Sequence, residues 1–180
     1  MAELKRANGG FHGEAMKILQ SFPMTPESET AGDCPAMLES LGPLPGQERL
    51  FHCVVRGLKG TPLPRFKAGQ HARLFFSAKG AELSQILSIA SAPENPKWEF
   101  LVADPGSDGP TRAFLGLPNG TPLMVDPPQG TFTLDRVQLP HVALVAGGAG
   151  LAPLRSMLLD FIVRGNAGEP EPRSIVLWHG

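Results

Sequence analysis

The feature that most constrains the fold lies near the carboxyl end of the 180-residue sequence. The apolar run from His141 to Ala146 leads directly into residues 147–150, which read GGAG and are called the glycine turn below. Apolar residues then recur at helical spacing over residues 151–162, and a second apolar run extends from Ser174 to Trp178. A strand, a glycine turn, an amphipathic helix and a second strand predict a right-handed, parallel β-α-β unit.

Upstream of this unit the sequence has a different pattern. From Glu48 onward, short apolar runs alternate with turn residues such as Asn119-Gly120 and Pro127-Pro128. Short strands at regular spacing are typical of a small antiparallel barrel. We therefore predict a mainly β fold with an α/β part: a six-stranded antiparallel Greek-key barrel, followed by a partial parallel β-α-β unit. The six expected strands are residues 50–55, 72–76, 86–90, 98–102, 122–125 and 131–134.

These patterns divide the chain into three segments. Residues 1–44 mix Gly, Pro, Ser, Thr and charged side chains, and we expect a partly disordered N-terminal extension with one amphipathic stretch at residues 13–22. Residues 45–136 form the predicted barrel, and residues 137–180 form an incomplete nucleotide-binding β-α-β unit. A single helical stretch, TRAFLGL at residues 111–117, interrupts the strands and is expected to carry a hydroxyl cap.

Composition excludes several classes of function. Lys and Arg total 16 against 17 Asp and Glu, so no basic surface for nucleic acid is expected. The apolar runs are too short to span a membrane, and no signal peptide pattern is seen. Cys34 and Cys53 lack the spacing of a zinc site or a disulfide framework, and the histidines suggest neither a metal site nor a triad. We expect a cytoplasmic protein without a metal, and assign no catalytic residue.

Two places offer chemistry suited to phosphate groups. A glycine turn between a buried strand and a helix lets a diphosphate approach the backbone, and free amides at the helix start attract anions. Glycine also permits close strand-to-helix packing without any ligand, so both interpretations stay open. Four residues of this turn and helix start are candidate ligands for a nucleotide: Gly147, Gly148, Gly150 and Pro153.

The second place is the start of the inserted helix. Gly109 and the Thr111 hydroxyl are positioned to hold a phosphate, although an ordinary helix cap explains the same residues. Ser88 and Ser91 flank an apolar segment and either face a ligand or are the polar positions of an alternating strand.

Taken in order, the motifs resemble those of the ferredoxin-NADP reductase superfamily over about residues 48–180. The resemblance implies a flavin-binding barrel of the FAD-binding FR type and a nicotinamide domain, with hydride passing between nicotinamide and flavin and electrons leaving singly. It also implies FAD as a cofactor, with NAD or NADP as the second. The segments that carry it are FKAGQ at 66–70, LSIASAP at 87–93, residues 98–102, GPT at 109–111 with FL at 114–115, NG at 119–120, PQGTF at 128–132, GGAGLAP at 147–153 and residues 175–180.

The family's flavin signature of Arg, any residue, Tyr and Ser falls on residues 85–88. Gln85 stands where the family has an arginine that grips the flavin phosphates, and Leu87 where it has a tyrosine that stacks on the ring. Gln85 can hydrogen-bond without a charge, and Leu87 can pack without stacking. Ser88, Ser91 and Thr111 match the family pattern, so the resemblance implies a weakened FAD site.

Two functions remain from the sequence. The first is a flavin-dependent oxidoreductase or electron-transfer module, incomplete for nicotinamide turnover by itself because most of the family's nicotinamide domain has no counterpart in these residues. The second is a non-catalytic barrel that acts in assembly or regulation without flavin. The expected partner is a redox protein, or a second copy that pairs with an open strand between Ser174 and Trp178.

Overall fold

The computed structural model describes residues 34–134, 141–166 and 174–180. It contains eight strands and two α-helices in these ranges. The strands are β1 Cys34–Pro43, β2 Leu50–Gly57, β3 His71–Ala78, β4 Ala81–Ser88, β5 Trp98–Ala103, β6 Pro122–Val125, β7 His141–Ala146 and β8 Ser174–His179, and the helices are α1 Pro110–Leu115 and α2 Leu151–Asn166.

Six strands form one antiparallel sheet that curls into an open barrel, in the order β4-β3-β6-β1-β2-β5. Its inner face is built from alternate residues, since successive side chains of a strand point to opposite faces. Strands β4 and β5 are the two free edges, and they meet only at the isolated bridge between Ile89 and Phe100 among the described pairings. The predicted six-stranded barrel followed by a partial α/β unit is confirmed. The largest fully buried side chains include Trp98, Phe76, Phe100, Phe114, Leu38 and Leu74.

Strand β1 differs from the sequence prediction, which places residues 34–43 in the N-terminal extension. It pairs with both β2 and β6, and it buries Ala36 and Leu38 completely. Pro, Gly and Glu residues interrupt the alternation of apolar and polar residues in β1. Its strand conformation therefore depends on pairing with two neighbouring strands rather than on its own strand propensity. The rest of the expected extension, including residues 13–22, lies outside the described residues.

The expected strand at residues 131–134 is not formed. Thr133 and Leu134 are buried, and Leu134 packs in a small core with Ala68, Leu154 and Met157 instead of joining a ladder. The apolar alternation of this segment therefore reflects packing between the barrel and helix α2, and the sixth barrel strand is β1.

The β-α-β unit has the predicted form. Strands β7 and β8 pair in parallel, with His141 opposite Ser174 and Ala146 opposite His179. Helix α2 covers one face of this pair, where Leu144 is buried. Neither described helix is long and apolar enough to cross a membrane.

The barrel and the β-α-β unit touch closely at one glycine. Gly69 lies before β3 with φ +99°, and a Cβ there would come within 2.0 Å of the Phe132 carbonyl oxygen and 2.4 Å of Met157 Cε. No side chain fits in that space, so glycine allows the barrel loop to pack against helix α2.

Candidate cofactor-binding site

Helix α1 stands beside the free edge strand β4. Phe114 is fully buried and packs edge-on against Phe76, with ring centroids 5.3 Å apart, which fixes the helix against the barrel. Pro110 occupies its first turn, where a missing N–H costs nothing. The start of α1 is thereby held next to the middle of β4.

At this junction the structure brings Gln85 and Thr111 together. The Thr111 hydroxyl donates to Gln85 Oε1 at 3.0 Å, and both side chains are half-buried. The helix cap is Gly109, which is exposed and forms no side-chain cap bond, so the hydroxyl cap expected from the sequence is not formed. Two uncharged groups, an amide and a hydroxyl, therefore lie where the resemblance places the flavin phosphates.

The other predicted residues on and after β4 are less accessible. Leu87 is only 8% exposed and belongs to the barrel core. Ser88 is half-buried and lies opposite His71. Ser91 is fully buried: its hydroxyl accepts the Glu99 N–H at 3.3 Å and its carbonyl accepts the Ser156 hydroxyl at 2.6 Å. Ser91 thus connects the barrel to helix α2.

The glycine turn follows β7 and forms a single 3-10 turn before helix α2. Gly147, Gly148 and Gly150 are exposed, and Gly148 has φ +51° with open space around its Cβ position. Pro153 is half-buried in the first turn of the helix. The backbone of this turn is accessible to a ligand of the size of a phosphate.

A polar network that sequence reasoning missed joins the two parts of the molecule. Arg155 Nη1 donates to the Ala90 carbonyl at 2.6 Å and lies 3.1 Å from Glu99 Oε2. His52 Nε2 lies 3.0 Å from the same Glu99 oxygen. The signal in the sequence was Glu99 between Trp98 and Phe100, because a charged residue between two buried aromatic residues must point out of the barrel.

A cleft of about 770 Å³ separates the glycine turn from the barrel. Arg49 and Asp104 line its barrel side and His179 lies near its other end. The pKa of Asp104 is lowered, chiefly because the Gly106 N–H donates to its carboxylate and additionally because Arg112 is adjacent. Sequence reasoning did not select Arg49 or Asp104, since their proximity results from pairing of distant strands.

The two cysteines offer no reactive thiolate. Cys53 is buried at the inner face of β2, and burial raises the pKa of its thiol to about 12. Burial also raises the pKa of Cys34. Among the described residues, no three His, Cys, Asp or Glu side chains converge on a possible metal position.

This fold, an antiparallel barrel joined to a parallel unit, aligns with solved structures of ferredoxin-NADP reductase-like proteins. The resemblance predicted from the sequence is confirmed by curated relatives and solved structures that are reductases of this type. No family model matches the chain.

The chain is 35% identical over 94 residues to ferredoxin--NADP reductase B of Sorangium cellulosum, which covers 52% of this chain and 38% of the relative. It is 36% identical over 95 residues to the reductase component of propane 2-monooxygenase from Gordonia, covering 52% of this chain and 27% of the relative. The match thus spans well under half of the length of each relative.

Among solved structures, a ferredoxin NADP+ reductase from Neisseria gonorrhoeae with bound FAD and NADP superposes with a TM-score of 0.67. The identity is 21%, and the alignment covers 84% of this chain and 58% of that one. At this identity the likeness shows the fold.

Proposed function

We propose that this chain is an electron-transfer module of the ferredoxin-reductase type that binds FAD along the edge of β4. The observation that carries the proposal is the junction of β4 and α1, where Thr111 and Gln85 lie 3.0 Å apart at the free edge of the barrel. Flavin is the leading candidate ligand because a flavohemoprotein of Bacillus subtilis is among the relatives and the similar Neisseria gonorrhoeae structure holds FAD. A bound flavin would supply the redox chemistry, while the chain's residues hold and orient it.

The residues at the junction fit the phosphate end of a flavin with neutral hydrogen bonds only. Gln85 and Thr111 can both turn from each other toward a phosphate oxygen, and the exposed backbone of Gly109 lies beside them. A charged donor would bind phosphate about twice as strongly as a neutral one. Leu87, at 8% exposure, offers the ring little surface. We therefore expect FAD to bind weakly.

For the second cofactor, we assign NAD or NADP to the glycine turn. The support is the exposed backbone of Gly147, Gly148 and Gly150 beside a cleft about 770 Å³ in volume. Backbone amides at a helix start are suited to a diphosphate, whichever nucleotide carries it.

The test of the flavin proposal is a titration of the purified chain with FAD, followed by flavin absorbance and fluorescence. Gln85→Arg should tighten binding roughly tenfold, because it restores a charged contact to phosphate. Ile86→Arg is the matched control: it adds the same charge one residue away, on the opposite face of β4, where Ile86 is 52% exposed. Equal affinities for the two arginine variants would contradict the proposed position of the site. Leu87→Tyr is less suitable, since a larger side chain at a buried position causes overpacking.

The second candidate is a non-catalytic assembly module without flavin. This candidate is favoured because the predicted ligand residues already hydrogen-bond within the protein. Thr111 donates to Gln85, and the hydroxyl and carbonyl of Ser91 both accept hydrogen bonds. Absence of FAD binding in both the wild type and Gln85→Arg, with unchanged circular dichroism, would select this candidate.

We also propose that the chain contacts a redox partner protein or a second copy of itself through β8. Val176 and Trp178 point away from helix α2 and are 50% and 62% exposed, and the neighbouring Val145 on β7 is 76% exposed. Parallel strands usually have both faces covered, so this apolar face is suited to association.

A further inference from the structure

The cleft beside the glycine turn has two walls of different origin. One wall consists of Gly148, Ala149 and the first residue of helix α2. The other belongs to the barrel, where the turn between β1 and β2 meets the end of β5 and supplies Arg49. A ligand in this cleft would therefore touch both parts of the molecule.

Arg49 is held in place by the barrel through its backbone and its side chain. The Asp104 N–H donates to the Arg49 carbonyl at 2.8 Å, and Arg49 Nη2 donates to the Asp104 carbonyl at 2.9 Å. Gly106 makes room for the guanidinium, since a Cβ at this glycine would lie 3.0 Å from Arg49 Nη2. The side chain is thus anchored at one nitrogen.

The Arg49 charge also acts on the Asp104 carboxyl, whose pKa it helps to lower, so a ligand in the cleft would share this charge with Asp104. Its described hydrogen bond goes to a neutral carbonyl, and the nearby Asp104 carboxylate is engaged by Arg112 and by the Gly106 N–H at 2.9 Å. A guanidinium has five N–H donors in a planar fork that matches phosphate oxygens. Arg49 is exposed and lines the cleft.

Backbone amides on one wall and a guanidinium on the other match the chemistry of a dinucleotide diphosphate. We infer that Arg49 binds the diphosphate of a nucleotide held at the glycine turn, so that the barrel supplies one of its anion ligands. This inference rests on the proposed nucleotide binding at that turn.

The experiment measures binding of ADP-ribose and of adenosine to the full chain by calorimetry. Arg49→Gln should weaken ADP-ribose binding roughly tenfold, because a charge-assisted phosphate contact is lost. Arg49→Lys should recover part of the affinity, and adenosine, which has no phosphate, should bind all variants equally. The matched control is Arg56→Gln near the far end of β2, where Arg56 lies 3.4 Å from Glu39 and does not line the cleft.

The possible outcomes separate the role of Arg49 from nucleotide binding at the glycine turn. If the wild type binds ADP-ribose and Arg49→Gln binds it within about twofold, or if Arg56→Gln loses as much, the role of Arg49 is wrong while nucleotide binding stands. If the wild type does not bind ADP-ribose at millimolar concentrations, both the nucleotide site and the role of Arg49 are wrong. A selective loss in Arg49→Gln supports both.

Discussion

The barrel and the β-α-β unit protect their apolar residues to very different degrees. The inner face of the barrel is closed by six strands and by Phe114 of α1, and its large side chains are buried almost completely. The two-stranded sheet β7-β8 is covered by α2 on one face only, while Val145, Val176 and Trp178 lie exposed on the other. Similar apolar strands therefore have different roles in this molecule: those of the barrel form a core, and those of the second unit leave one face as a surface.

The two tryptophans of the chain allow the strongest test of this contrast. Trp98 is 1% exposed and Trp178 is 62% exposed. We expect Trp98→Ala to lower the free energy of unfolding by about 3–5 kcal/mol, because it opens a cavity between Phe66 and Phe100. Trp178→Ala should change it by about 0.5 kcal/mol or less. Denaturant unfolding followed by circular dichroism measures both, and similar losses would break the comparison.

The bond between the two parts can be tested at Ser156. Its buried hydroxyl donates to the Ser91 carbonyl at 2.6 Å, and Ser156→Ala leaves that buried carbonyl without this donor. We expect a loss of about 1–3 kcal/mol. Ser174→Ala is the control, because the Ser174 hydroxyl bonds to His141 at 2.8 Å at the surface. Hydrogen exchange in α2 should become faster in Ser156→Ala only; unchanged exchange in α2 would mean that this bond does not hold the helix to the barrel.

The exposed face of the β-α-β unit predicts an effect on association rather than on stability. Val176→Lys places a charge in the middle of β8, where the side chain is 50% exposed. We expect it to disperse dimers or larger species detected by light scattering, and to change the free energy of unfolding of the monomer by about 0.5 kcal/mol or less. A wild-type protein that is monomeric at all concentrations would exclude self-association through β8 and leave a different partner as the candidate.

The smallest expected effects concern pH, and they have opposite signs in the two parts. The lowered pKa of Asp104, due first to the Gly106 N–H, stabilises the fold above the ordinary carboxyl pKa of about 4, and this contribution is lost as pH falls through the lowered value. The raised pKa of Asp160 in α2, due first to burial, favours the fold at low pH, and this contribution is lost as pH rises from about 4 through the raised value.

Asparagine at each position removes the corresponding pH dependence. Relative to Asp104→Asn, the wild type should lose stability as pH falls below about 4. Relative to Asp160→Asn, the wild type should lose stability as pH rises above about 4. Thermal unfolding across this range measures both differences. If stability relative to both asparagine variants changed in the same direction with pH, the environments of these two carboxylates would not be the ones described.

Parts of the candidate site followed directly from local sequence. The glycine turn, helix α2 and the parallel strands β7 and β8 lie where the apolar periodicity predicts them, and so does α1 with Thr111. Each depends on residues close together in the chain, so the pattern of apolar and turn residues is sufficient. The ligand roles of the predicted site residues stay predictions, which the titrations above test.

Other parts depended on residues far apart in the chain. Strand β1 has a weak local pattern and is formed by pairing with β2 and β6, while residues 131–134 have a strand-like pattern and pack between the barrel and α2 instead. The same applies to Arg49 and Asp104, which pairing of β2 with β5 brings to one wall of the cleft.

Local sequence patterns therefore predict most elements of this protein and the family they resemble, because periodicity and turn chemistry act over a few residues. The tertiary structure sets which strand completes the barrel and joins the Ser156 hydroxyl to the Ser91 carbonyl. The tertiary structure also determines which face of β8 is exposed. These outcomes depend on competition between distant segments for the same buried space and the same hydrogen-bonding edges, and no local pattern records the result of that competition.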